Sequence, residues 1–104
     1  MNRRTSQRAK VDLLINRFLD GHPYVCRMTD ISSTGLRLIP LLEPTSAPRY
    51  MGLQFQLPGV GAILTASGEA IEGSNPNMSA GTGVRFTRLP PESESVIRQF
   101  IASC

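Results

Sequence analysis

Short apolar segments, several with an apolar residue at every second position, constrain this sequence more than any other feature. The pattern is clearest in YMGLQFQL, where Met51, Leu53, Phe55 and Leu57 alternate with small or polar residues. Because successive side chains of a strand point to opposite faces, such a segment is predicted to form a strand with one buried face. The six predicted strands are residues 11–19, 24–31, 36–39, 50–57, 62–71 and 84–89.

Glycine and proline separate the predicted strands. Asp20 and Gly21 lie between the first two strands, and Asp-Gly between apolar segments is typical of a hairpin turn. Three prolines mark residues 40–49 as a loop. Gly68 lies inside the fifth strand and favours a β-bulge there. Short strands at near-regular spacing predict an antiparallel barrel or sandwich.

A helical period replaces the alternation near the end of the sequence. After two prolines, ESESVIRQFIAS has apolar residues at helical spacing, namely Val96, Ile97, Phe100 and Ile101. Proline suits a first helical turn, and Glu92 and Glu94 suit the positive end of the helix dipole. We predict an amphipathic helix at about residues 91–103, which must cap an end of the sheet or lie across a face.

The positive charge is concentrated at the N-terminus. The formal net charge is +3. Residues 1–10 hold Arg3, Arg4, Arg8 and Lys10 and no acidic residue, while the rest of the chain has seven arginines and eight acids. We predict a flexible basic arm over residues 1–10 and one globular domain over 11–104. Such an arm suits an anionic ligand, although a solvated terminus has the same composition.

The sequence has few side chains in an arrangement that could carry out catalysis. The single histidine, His22, falls in the predicted hairpin turn. Cys26 lies in a predicted strand and Cys104 is the last residue, a spacing that favours neither a disulfide scaffold nor a metal site. We expect no enzyme activity, metal or cofactor. No apolar run approaches the roughly 20 residues of a membrane helix, so we expect a cytoplasmic protein without membrane insertion.

Two polar motifs remain. RRTSQR places Arg4 and Arg8 four residues apart, and DISSTG contains Asp30, Ser32 and Gly35. In one interpretation, DISSTG is a self-satisfied Asx or Ser turn with the glycine at positive φ. In the other, arginine forks bind phosphate or the guanine O6 and N7 atoms, while the carboxylate accepts hydrogen bonds from guanine N1 and N2. A glycine would let the backbone approach a flat base.

The two motifs in this order resemble the RxxxR and (D/N)xSxxG signature of the PilZ domain family. TGLRL resembles the third strand of that family, and GTGVRFTRLPPESESVIRQFI resembles its last strand and closing helix. The resemblance covers nearly all 104 residues. It implies an all-β-dominated fold, a six-stranded antiparallel β-barrel with a short C-terminal α-helix. It also implies a non-catalytic bacterial receptor for cyclic di-GMP.

The resemblance assigns roles to particular residues. In the family, an arginine pair on a mobile segment binds phosphates and guanine Hoogsteen edges, and a preceding basic residue stacks on a base. The Asp, Ser and Gly positions line the barrel surface around a guanine. The ligand-binding residues implied here are Arg3, Arg4, Arg8, Asp30, Ser32 and Gly35. Because the chain has no tryptophan, base stacking would depend on arginine.

Ligand binding is expected to order the arm and change the surface that an unidentified effector protein contacts. The family regulates processes such as motility and exopolysaccharide synthesis. One alternative is a protein–protein docking module of the same fold that does not bind nucleotide. A second is a basic barrel that binds single-stranded nucleic acid, which needs a charged groove and exposed aromatics. The body of the chain is nearly neutral, so no nucleic-acid partner is expected.

Overall fold

The computed structural model describes residues 7–41, 48–71 and 81–104. These residues form six strands and one helix: β1 (Arg8–Leu19), β2 (His22–Ser32), β3 (Gly35–Pro40), β4 (Tyr50–Phe55), β5 (Leu64–Ala70), β6 (Thr82–Arg88) and α1 (Pro91–Ala102). The strands pair antiparallel and close into a barrel in the order β1-β2-β3-β6-β5-β4. The predicted six-stranded antiparallel barrel with a C-terminal helix is therefore confirmed.

The first strand begins earlier than predicted. β1 starts at Arg8 rather than at residue 11, so residues 8–10 of the predicted flexible arm belong to the sheet. The reason is Ala9, whose side chain is only 3% exposed and joins the barrel core. Ala9 pairs with Ile31 of β2, and Arg8 pairs with Ser32. Residues 1–6 of the predicted arm lie outside the described residues.

The predicted hairpin between the first two strands is confirmed. Asp20 and Gly21 both have positive φ, at 51° and 81°, as a type I′ two-residue turn requires. Leu19 pairs directly with His22 across this turn. His22 is therefore the first residue of β2, and the prediction that it lies in the turn itself is wrong by one residue.

A β-bulge in β2 controls which residues of this strand face outward. Met28 pairs with Leu38 of β3, but Asp30 pairs with Arg37, so Thr29 is an extra residue on the β2 side. Cys26, Met28 and Ile31 are all buried. The inward positions therefore change from a spacing of two to a spacing of three at Thr29. Without the bulge, residue 30 would face the apolar interior.

The sequence predicted a β-bulge at Gly68 of β5. The register between β5 and β6 does shift between Ser67 and Gly68, but Ser67 pairs with Arg88 and Gly68 pairs with Phe86, so the extra residue is Thr87 of β6. The bulge therefore lies opposite Gly68, and its placement in β5 is wrong. A Cβ on Gly68 would lie 2.5 Å from Cγ1 of Val84, so the glycine also makes room for β6.

The helix closes the barrel and completes its core. Ile97 of α1 is fully buried and belongs to the same core cluster as the inward residues of the strands. Val96, Phe100 and Ile101 pack against this cluster while partly buried. The amphipathic helix predicted at the C-terminus therefore buries the apolar stripe that the sequence gives it. Within the described ranges, no helix has the length and apolar character to cross a membrane.

Candidate functional site

The DISSTG motif forms the connection between β2 and β3. Ser32 is fully buried, and its Oγ accepts hydrogen bonds from the backbone N–H groups of Thr34 (3.1 Å) and Gly35 (3.2 Å). The hydroxyl also lies 3.3 Å from the carbonyl oxygen of Gly35, to which it donates. The prediction of a Ser turn is therefore confirmed for Ser32, whose hydroxyl shapes the turn, whereas the Asp30 side chain pairs outside the segment with Arg8.

Gly35 is required for close packing of two strands. The structure gives it no positive φ, so that part of the turn prediction is wrong. A Cβ at this position would collide with the carbonyl oxygen of Val84 and lie 3.2 Å from Cα of Arg85. The N–H of Phe86 donates to the carbonyl of Thr34 at 2.9 Å. The motif turn is therefore packed directly against β6, and only glycine fits at this contact.

The two sequence motifs meet in an ion pair on the outer surface of the barrel. Nη1 of Arg8 donates to Oδ1 of Asp30 at 2.7 Å. The side chains are 46% and 21% exposed, respectively, so solvent reaches both. The bulge at Thr29 places Asp30 on this surface, and the pairing of β1 with β2 places Arg8 beside it.

The predicted site residues thus have different positions. Arg8 and Asp30 are in contact and accessible, whereas Ser32 and Gly35 are buried in the turn between β2 and β3. Arg8 was expected in the flexible arm, but it is the first residue of β1. Arg3 and Arg4 lie outside the described residues.

A second charged cluster on the neighbouring strands was not predicted. Glu69 of β5 contacts Arg49 at 2.7 Å and also accepts a hydrogen bond from Arg85 of β6. Its carboxylate side chain is only 9% exposed. The hydrogen bond from Arg85 holds the pKa of Glu69 below its ordinary value; burial opposes this shift, and the nearby charge of Arg49 adds to it. The only sequence signal was a carboxylate inside a strand, which does not identify its partners.

We expect Glu69→Gln to reduce stability at neutral pH and to flatten its dependence on acid pH. Because the pKa of Glu69 is lowered in the folded protein, its contribution is present above the unfolded pKa and is lost as pH falls through the folded pKa. Urea unfolding of both proteins from about pH 7 to about pH 3 measures this. The free energy of unfolding should be lower for the variant than for the unmodified protein at neutral pH, and this deficit should shrink as pH falls. A constant deficit over that range would contradict the assigned role of the carboxylate.

Among the described residues, the remaining reactive side chains are not grouped into a further site. The Cys26 thiol is buried and lies 3.9 Å from the carbonyl of Ile15, as a structural cysteine would. His22 and Cys104 are exposed at the beginning of β2 and at the end of the chain. In the part of the chain that the structure describes, no three His, Cys, Asp or Glu side chains are grouped to hold a metal ion.

Solved structures share this fold at low sequence identity. The Bacillus subtilis inhibitor of motility MotI/DgrA superposes with a TM-score of 0.78 at 14% identity, over 99% of this chain. This chain spans about half (51%) of MotI/DgrA. The Legionella uncharacterized protein Lpg0364 gives a TM-score of 0.62 at 20% identity, over 93% of this chain and 91% of that protein. At these identities the likeness shows the fold alone.

Sequence comparison identifies the family. No curated protein matches the sequence. The sequence model of the PilZ domain matches residues 2–103, which include both motifs, all six strands and the helix. This chain belongs to the PilZ domain family.

Proposed function

We propose that this chain is a non-catalytic cyclic di-GMP receptor that acts as an adaptor in the bacterial cytoplasm. PilZ domains are generally cyclic di-GMP-binding adaptors and not catalysts. The observation that carries the proposal for this chain is the ion pair between Arg8 and Asp30. It joins one residue of each sequence motif on an accessible surface.

The pair offers both halves of a guanylyl recognition site. The Asp30 carboxylate can accept hydrogen bonds from N1 and N2 of guanine, which are both donors. The Arg8 guanidinium can bind a phosphate through two parallel hydrogen bonds, or the O6 and N7 atoms of a guanine. Each side chain already has a partner of opposite charge, so both are held in place before the ligand arrives.

The buried motif residues hold the turn that follows Asp30 in shape. Ser32 holds the turn closed through its hydroxyl, and Gly35 lets β3 approach β6. In this proposal both residues shape the barrel surface on which the guanine lies. Asp30 supplies the polar contact.

Arg3 and Arg4, which precede β1 in the sequence, are the remaining residues of the proposed site. Four residues of extended chain span at most about 14 Å, so Arg4 is within reach of a ligand bound at Arg8. In our proposal the ligand fixes these arginines against the barrel, with Arg4 on a phosphate and Arg3 stacked on a base. The rearranged N-terminal segment then forms the surface that an effector protein contacts.

Titration calorimetry of the purified chain with cyclic di-GMP tests the proposal. We expect binding with a Kd in the micromolar range, about −8 kcal/mol. GTP and cyclic GMP serve as controls, since each has one guanine but neither joins two nucleotide units in a ring. An absence of heat with cyclic di-GMP at protein concentrations well above micromolar would reject the proposed function.

A nucleotide-independent docking module is the second candidate. Leu14 of β1, Val25 of β2 and Ile63 are exposed and line one groove on the barrel surface. Exposed apolar residues that lie together are typical of protein interaction sites. This candidate predicts that binding of an effector protein is unchanged by cyclic di-GMP, whereas the receptor proposal predicts a change.

Nucleic-acid binding receives less support. Among the residues that the structure describes, Tyr50 is the one aromatic residue in the set of large exposed hydrophobics, although base-stacking surfaces use several exposed rings. A gel shift with a random oligonucleotide at moderate salt should therefore show no complex at micromolar protein.

A further inference from the structure

Arg85 of β6 lies beside the motif glycine. Gly35 pairs directly with Arg85 across β3 and β6. A Cβ on Gly35 would come within 3.2 Å of Cα of Arg85, so no side chain of β3 separates this arginine from the motif turn. The next residue, Phe86, donates its N–H to Thr34 at 2.9 Å. Arg85 therefore lies next to the Gly35 end of the turn on β6, whereas Arg8 lies next to its Ser32 end on β1.

The guanidinium of Arg85 faces solvent on the outside of the barrel. The preceding residue, Val84, points inward and is buried, so Arg85 points outward. Its side chain is 64% exposed. Arg8 and Arg85 thus lie on the outer surface at the two flanks of the Ser32–Gly35 turn. Three strand spacings separate β1 from β6, an along-sheet distance of at most about 14 Å.

The cluster that holds Arg85 has a surplus positive charge. Glu69 is a single carboxylate shared by Arg49 and Arg85. If Arg85 turns toward an anionic ligand, Arg49 still neutralises the poorly exposed carboxylate. The move therefore leaves no buried charge without a counter-ion, which would otherwise oppose it. The pair of Arg8 and Asp30, in contrast, is neutral as a unit.

We propose that Arg85 is a further ligand-binding residue, which binds a phosphate or a guanine edge in the half of cyclic di-GMP that the Arg8–Asp30 pair does not contact. This inference rests on the proposed function. Cyclic di-GMP has two phosphates and two guanines, so a cation on each flank of the turn suits a two-nucleotide ligand better than a cation on one flank.

The test compares Arg85→Ala with Arg49→Ala by calorimetric titration with cyclic di-GMP. Both variants remove one arginine from Glu69, so each loses one ion pair of the same cluster. Only Arg85 lies beside the motif turn. We expect Arg85→Ala to weaken binding by about fivefold or more and Arg49→Ala to change it by less than about twofold. Melting temperatures of both variants confirm that each is folded.

Two further variants keep the test decisive. Arg85→Gln retains a hydrogen-bond donor for Glu69 and replaces the alanine variant if that protein does not fold. Arg85→Lys keeps the charge without the planar fork, and we expect it to bind more weakly than the unmodified chain.

Failure of this inference is distinguishable from failure of the proposed function. If Arg8→Ala weakens binding but Arg85→Ala does not, the role of Arg85 is rejected and the receptor function stands. Equal losses in Arg85→Ala and Arg49→Ala would also reject it, since the loss would then belong to the Glu69 cluster. If the unmodified chain does not bind cyclic di-GMP, both proposals are rejected.

Discussion

Replacement of Arg8 by alanine is expected to lower the affinity for cyclic di-GMP by at least about tenfold, or about 1.4 kcal/mol. The variant loses the partner of Asp30 and, in the proposed complex, the charge-assisted hydrogen bonds from Arg8 to the ligand. The melting temperature should change little, because the ion pair between Arg8 and Asp30 is partly exposed and such pairs contribute about 0–1 kcal/mol. Titration calorimetry and thermal unfolding separate the two effects.

The planar guanidinium group of Arg8 should contribute to ligand affinity through its geometry as much as through its charge. We expect Arg8→Lys to lose nearly as much affinity as the alanine variant, since an ammonium group cannot make two parallel hydrogen bonds to one phosphate or guanine. Arg98→Ala is the matched control, because Arg98 is also exposed and also paired with a carboxylate, that of Glu94 in the helix. If Arg8→Ala binds as well as Arg98→Ala, Arg8 is not a ligand-binding residue.

Replacement of Ile97 by alanine is expected to lower the free energy of unfolding by about 2–5 kcal/mol. Ile97 is fully buried where the helix closes the barrel, so truncation removes apolar contacts and leaves a cavity among the inward residues of the strands. Urea unfolding followed by circular dichroism measures the change. For a domain that starts from ordinary stability, this is a large fraction of the total.

Ile63→Ala is the control for this variant. Ile63 is 62% exposed, and exposed substitutions usually change stability by no more than about 0.5 kcal/mol. If both variants lose the same small amount, the helix does not complete the core as the structure indicates. A large loss at Ile97 alone supports a barrel whose core depends on α1.

The strands and the helix could be predicted because each follows from a local pattern. Alternation set the strand positions, Asp20-Gly21 set the first hairpin, and the helical period placed α1 within a residue of its observed end. The start of β1 was missed because Ala9 is small, and a single alanine among arginines gives little apolar signal although it is buried.

The site was harder to predict because its geometry depends on pairing between distant segments. The bulge at Thr29 had a readable signal, the change from a spacing of two at Cys26 and Met28 to three at Ile31. The space requirement at Gly35 had none, since it arises from a carbonyl of β6 about fifty residues away in sequence. The contacts of Glu69 with Arg49 and Arg85 likewise join different parts of the chain.

The buried position of Ser32 has a consequence for genetic screens that use loss of signalling to find ligand contacts. A substitution there, or at Gly35, removes support from the hairpin itself, so we expect it to impair folding together with the proposed recognition. A null phenotype at either codon would therefore carry no information about contact with the messenger. The ion pair between Arg8 and Asp30 is partly exposed, and such pairs contribute little to stability, so these are the codons at which a screen of the proposed function can be interpreted.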